Sequence, residues 1–191
     1  MKTLATFRVG WLLALACLSL AGARAVAGST GVEATEYQIK ATYVYNFTKF
    51  ADWPAGAFAS SNAPIVISII GEDPFGSALD DIVRGELVRN RQLVIKRFHA
   101  GDDLANCHVL FICRSEKEHL PQLLEQLKGR PVLTVSDMDG FAGQGGMLNL
   151  LVVRKTVKME INQEAAADAG LQISVKLLKL ARLVKAGASE P

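Results

Sequence analysis

Ile65–Ile70, IVISII, decides how the rest of the chain reads. It is a run of β-branched residues interrupted only by Ser68, the pattern of a strand buried on both faces. Gly71-Glu-Asp-Pro-Phe-Gly76 follows, with two glycines and a proline that force a turn, and Ser77–Arg84 then reads as a short helix. Further on, Gln92–Phe98 forms a second strand and His108–Ile112, HVLFI, a third that is apolar through its middle. Glu116–Leu127 has helical spacing, with Leu120, Leu123, Leu124 and Leu127 on its inner face, and Pro131–Val135 is a fourth strand. Strands alternating with helices predict an α/β fold, a mostly parallel sheet flanked by helices on both faces. The Gly101–Asn106 connection is short for a crossover, which leaves the direction of the strand after it open.

The two ends of the chain add other elements. Downstream, Met138–Gly146 is a glycine-rich loop, and Met147–Val153 with Thr156–Ile161 predicts an antiparallel hairpin around Arg154-Lys155. Asn162 suits the cap of a short helix ending at Gly170, and Ser174 that of a terminal helix over Val175–Lys185. On that last helix Leu177, Leu180, Ala181 and Val184 share one face, and Lys176, Lys179, Arg182 and Lys185 the opposite one. Upstream, Ile39–Pro54, IKATYVYNFTKFADWP, gathers Tyr43, Tyr45, Phe47, Phe50 and Trp53 in a chain that is only 7% aromatic. A helix from about Val32 to Asp52 is expected. Thr30 to Glu33 has capping-box spacing at its start, and Pro54 disfavours helical geometry at Trp53. Ile39, Tyr43, Phe47 and Phe50 fall on one face, and Tyr37, Ala41, Val44 and Thr48 on an adjacent one. So wide an apolar arc serves either the core or a partner.

The first 27 residues read as an export signal. Lys2 and Arg8 form a positive start, Val9–Leu20 is an apolar run too short to span a bilayer, and the small residues of Ala23–Ala27 offer cleavage near 25–27. Residues 28–191 are then expected to form a single domain with room for a sizeable core. The formal charge of +2 follows the leader: without Lys2, Arg8 and Arg24, 18 Lys and Arg face 19 Asp and Glu, a net of −1. Nothing in that balance favours nucleic acid. Cys107 and Cys113 remain in a compartment that permits disulfides. Six strand steps of ~3.3 Å separate them by about 20 Å, whereas a bridge needs Cα atoms within about 7 Å. Both are expected as free thiols.

Enzyme signatures are mostly absent. Gly143-Gln-Gly-Gly146 resembles half a phosphate-binding loop but leads into a strand, so no helix N-terminus waits for an anion. Asp137-Met-Asp139-Gly140 starts like a calcium loop without its closing glutamate and reads as a solvated turn. His99, His108 and His119 lack zinc-site spacing, and Cys107 and His108 point to opposite faces of a strand. No metal or cofactor is expected. Such a chain fits binding or regulation better than turnover.

Several stretches, in fixed order, carry a family resemblance. They are Lys40–Pro54, Ile69–Gly76, Cys107–Ile112, Val132–Asp137 with Gly140-Phe141, Gly145–Asn149, Met159–Asn162, Ala169–Ser174 and Leu177–Ala181. Together they resemble the YfiR-like periplasmic proteins over about Glu36–Val184. The resemblance implies a non-enzymatic periplasmic α/β protein that represses an inner-membrane diguanylate cyclase through its periplasmic sensing domain, lowering cyclic-di-GMP and biofilm formation. It further implies a sequestering outer-membrane lipoprotein and a homodimer. The expected contact residues are Tyr45, Phe50 and Trp53 from the aromatic stretch, Asp73 and Phe75 from the turn, and Phe141 from the glycine-rich loop. A second reading is a small-molecule sensor or binding module coupled to another signalling protein such as a sensor kinase. Its ligand would sit at the carboxyl ends of the strands, near Gly71–Gly76 and Ser136–Gly140.

Overall fold

The computed structural model describes residues 30–187, leaving out 100 and 105. The expected leader lies outside the described residues, as do the side chains of the expected Thr30–Glu33 capping box. In chain order the elements begin with α1 (Thr30–Phe50), β1 (Ala51–Asp52), β2 (Ile65–Ile70), α2 (Ala78–Val83), β3 (Leu87–Val88), β4 (Arg91–Phe98) and β5 (Val109–Ile112). A 3-10 segment (Arg114–His119), α3 (Leu120–Leu127) and β6 (Leu133–Ser136) follow. The chain continues through β7 (Leu148–Val153), β8 (Thr156–Ile161), α4 (Gln163–Asp168), β9 (Gln172–Ile173), α5 (Val175–Leu178) and β10 (Arg182–Leu183).

Eight strands form one sheet in the order β10-β8-β7-β6-β5-β2-β4-β3. The fold is α/β and the sheet mostly parallel: β4, β2, β5, β6 and β7 run in one direction, and the open question about β5 resolves as parallel to both neighbours. β7 and β8 make the expected antiparallel hairpin, with Arg154 and Lys155 both at positive φ in its turn. β2 is buried along its whole length, as IVISII predicts. Successive residues serve two apolar clusters, as the pleat requires. Ile67, Ile69, Val109 and Phe111 join α1 and α2 in one, while Ile70, Leu110 and Ile112 join α3 and Phe141 in the other.

Three element boundaries differ from expectation, two through strand pairing and one through a proline. α1 stops at Phe50 rather than Asp52, because Ala51 and Asp52 pair with Ile173 and Gln172 as a separate two-stranded ribbon. The helix expected over Glu116–Leu127 is 3-10 as far as His119 and α-helical only from Leu120. Pro121 is the cause: it has no N–H to donate back to the preceding turn, so it sits in the first turn of a new helix. The terminal helix is only Val175–Leu178, and Arg182 and Leu183 leave it to pair with Glu160 and Ile161 of β8. Leu180, expected on its inner face, is 79% exposed. A second tight hairpin, β3 to β4, turns through Arg89 and Asn90, both at positive φ; its two-residue strand gave too short a pattern to read. Both expected caps form, with Asn162 accepting from Ala165 N (3.0 Å) and Ser174 from Lys176 N (3.3 Å).

Cys107 and Cys113 flank β5, both buried and unbridged. Burial pushes their thiols up to about 11 and about 12. A thiol reagent at mildly alkaline pH should therefore modify neither in the native protein and both in denaturant. Neither reacting in denaturant would mean a bridge.

Candidate functional site

α1 has 21 residues, about 31 Å at 1.5 Å per residue; its middle turns are fixed at the carboxyl ends of the parallel strands, and the segment just past its C-terminus at their amino ends. Its buried stripe is Lys40, Ala41, Val44, Tyr45, Phe47, Thr48 and Ala51, whereas Ile39 is 44% exposed. The face through Tyr37, Ala41, Val44 and Thr48 thus meets the sheet, and the neighbouring face through Ile39 and Tyr43 turns outward.

At the carboxyl ends of β5 and β6, α1 contributes Glu36, Tyr37 and Lys40. The Lys40 ammonium, 0% exposed, donates to Asp137 Oδ2 at 2.7 Å and also to Glu36. Tyr37 donates its hydroxyl proton to the same Asp137 oxygen at 2.9 Å. Arg114, just past β5, donates to the Asp137 carbonyl at 3.1 and 3.3 Å and lies 3.2 Å from its carboxylate. Burial, the Asp137 charge and the hydrogen bond to it all raise the Tyr37 pKa, so this phenol stays protonated and donates. Asp137 is only 1% exposed and its Oδ1 has no hydrogen-bond partner among the described residues. The expected solvated turn is therefore corrected: Asp137 and Met138 are interior, and only Asp139 is exposed. The hint lay in a lysine one residue from Ala41 on the buried face, where an unpaired ammonium would be too costly.

The turn after β2 adjoins this cluster. Asp73 accepts from Phe75 N (2.7 Å) and from Arg97 Nε (2.7 Å), and Arg97 also reaches Asp80 and the Gly76 carbonyl. The hydrogen bond from Arg97 is the main cause of the lowered Asp80 pKa. Phe75 is buried edge-on to Tyr37 (5.8 Å) and Phe111 (4.7 Å).

At the amino ends of the strands, Trp53 donates from Nε1 to the His108 carbonyl at 3.2 Å, and Phe58 stacks on the His108 ring at 4.4 Å. The Arg91 guanidinium lies 3.9 Å above Phe58. His108 Nδ1 accepts from Val66 N (3.1 Å), which leaves Nε2–H to donate to the Ala57 carbonyl (3.1 Å). Desolvation is the leading cause that lowers its pKa, so the folded ring is neutral where an unfolded one would charge. The unfolded state then binds more protons as pH falls below 6.5, and stability falls with it. Denaturation midpoints should drop on acidification through that window, and His108→Gln should flatten the slope.

The six expected contact residues separate by burial. Phe50 and Trp53 are half-buried, and so is Asp73. Tyr45 is buried, hydrogen-bonded to Glu86 and covered by the Lys49 ammonium at 4.0 Å. Phe75 is buried and Phe141 is 0% exposed. Lys40 and Arg114 are not among the expected contact residues, and Asp137 is expected only in a solvated turn; the pairing of Lys40 with Asp137 spans 97 positions and has no local signal.

Among the described residues no helix is long and apolar enough to cross a membrane, and no group of three or more His, Cys, Asp or Glu is placed to hold a metal ion. Fold and site together define an α/β domain with an aromatic helix fastened across its sheet. The family model described as YfiR/HmsC-like matches residues 37–182, and the chain belongs to that family.

Proposed function

We propose that this chain is an exported regulatory protein that binds the periplasmic sensing domain of an inner-membrane diguanylate cyclase and holds the enzyme inactive. Cyclic-di-GMP and biofilm formation fall as a result. Membership of the YfiR/HmsC-like family over residues 37–182 is the observation that carries this reading. Control requires tighter binding to the inactive cyclase than to the active one, and a surface already held rigid loses less entropy on binding. The middle of α1 is fixed by Asp137, and the segment just past its C-terminal end by the His108 carbonyl.

Direct contact is assigned to the half-buried rings of Phe50 and Trp53 at the amino ends of the strands; the partly exposed turn at Asp73 lies at the opposite ends and would make a separate contact. Tyr45, Phe75 and Phe141 are buried and act through the core, Phe141 in the cluster on the α3 side of the sheet. A sequestering outer-membrane lipoprotein would compete for the Phe50 and Trp53 surface, and a second copy of the chain would pair outside it. No catalytic step is assigned to the chain.

Titration calorimetry of the purified protein against the periplasmic domain of the host's diguanylate cyclase tests the interaction. Saturable binding is expected, and Trp53→Ala should weaken it about tenfold or more while its circular dichroism stays native. No binding by the wild-type protein contradicts the proposal.

A further inference from the structure

A cavity of about 260 Å³ lies beside the carboxyl end of β2, between the Gly101–Leu104 loop and the Arg114–Leu127 segment. It is close in size to the smaller metabolite sites of other proteins. Ile70, Leu104 and Leu123 give it apolar walls, and Asp102, Glu116, His119, Gln122 and Gln126 its polar ones. Among the described residues no lysine or arginine lines it. His119, Gln122 and Gln126 are spaced by three and four residues, so they project along one side of the same helical segment.

Glu116 is the unusual member. It is only 8% exposed, yet just one of its carboxylate oxygens is used: Oε2 meets His119 Nδ1 at 3.2 Å, and Oε1 has no hydrogen-bond partner among the described residues. Gly71, where φ is +96°, packs against this segment: a Cβ there would first meet Ser115 Oγ and would also lie 2.9 Å from Glu116 Cγ and 3.0 Å from Oε1. Any side chain there would press on the carboxylate, and the left-handed backbone already favours glycine. Oε1 is not among the fully buried unpaired atoms, so it stays open to a donor, whether water or a group in the cavity. Asp102 adds a second negative charge to the same walls, with its Oδ2 taken by His99 N at 2.8 Å.

The geometry points to a binding site for a small organic cation, an aliphatic amine whose ammonium group donates to Glu116 while its short carbon body lies against Ile70, Leu104 and Leu123. The carboxamides of Gln122 and Gln126 would accept or donate at the other end of such a molecule. Acidic ligands are disfavoured, because two carboxylates face the space with no lysine or arginine among the described residues lining it. The site does not depend on the repressor reading: none of the proposed cyclase contacts lines it.

Titration calorimetry with 1,4-diaminobutane, 1,4-butanediol and succinate tests the assignment on the purified protein. The diamine should bind at one site per chain, and the diol and the diacid should not. Glu116→Gln should weaken the diamine about tenfold or more. Gln122→Lys, at an exposed helix position that leaves the core untouched, should abolish binding by placing an ammonium in the cavity. Should Glu116→Gln fail to fold, Gln122→Lys decides alone. No saturable binding of the diamine at about 10 mM, equal binding of diamine and diol, or undiminished diamine binding in Gln122→Lys would each overturn the assignment.

Discussion

Lys40→Met should lower the unfolding free energy by about 3–5 kcal/mol, the usual effect of removing one partner from a buried ion pair. The lysine is fully buried, and its loss leaves the Asp137 carboxylate, 1% exposed, with only Tyr37 and Arg114. Methionine keeps the volume and the straight stem, so the effect is electrostatic rather than a cavity. Adding Asp137→Asn removes the stranded charge, and the double variant should recover most of the loss. That recovery is a coupling read by a double-mutant cycle in urea. A Lys40→Met change below about 1 kcal/mol would put this pair among the weak surface bridges and would leave α1 free to move at this point.

Phe141→Ala should cost about 3–5 kcal/mol, because a fully buried ring is lost and its surroundings collapse only in part. Its neighbour makes the test specific. A Cβ on Gly146 would clash with Cε1, Cδ1 and Cζ of the Phe141 ring, and Gly146 N also donates to the Phe141 carbonyl at 3.0 Å. Gly146→Ala alone should therefore cost about 1–3 kcal/mol through overpacking. In the Phe141→Ala background the clash disappears, and the second substitution should add almost nothing. Simple additivity in chemical denaturation would show that the glycine-rich loop is not closed over this ring.

These two pairs show where the sequence was legible. Ile65–Ile70 and His108–Ile112 announced buried strands because their apolar pattern is contiguous and local, while the direction of the second stayed open until the sheet order was known. Asn162 and the Arg154-Lys155 turn were readable for the same reason, since caps and tight hairpins are decided within a few residues. Pro121 was visible too, but its effect was undervalued: one missing N–H divides an apparently continuous helix into a 3-10 segment and an α-helix. Long-range pairings could not be read. Whether Lys40 meets Asp137, or Arg182 meets Glu160 and so draws the C-terminal segment out of its helix into β10, depends on sheet order. The aromatic stretch divides in the same manner. Helical spacing gave two adjacent apolar faces, and only the sheet determines that Tyr37, Ala41, Val44 and Thr48 turn inward.

The interior face of α1 is thus occupied by the domain itself, and the proposed partner contact lies around Phe50 and Trp53, just past its end. The central claim is that this surface serves to restrain a diguanylate cyclase. Cyclic-di-GMP measured in a strain lacking the gene tests it most directly. The account predicts a raised level, returned to normal by the wild-type gene and not by a Trp53→Ala variant. An unchanged level in the deletion strain would contradict it.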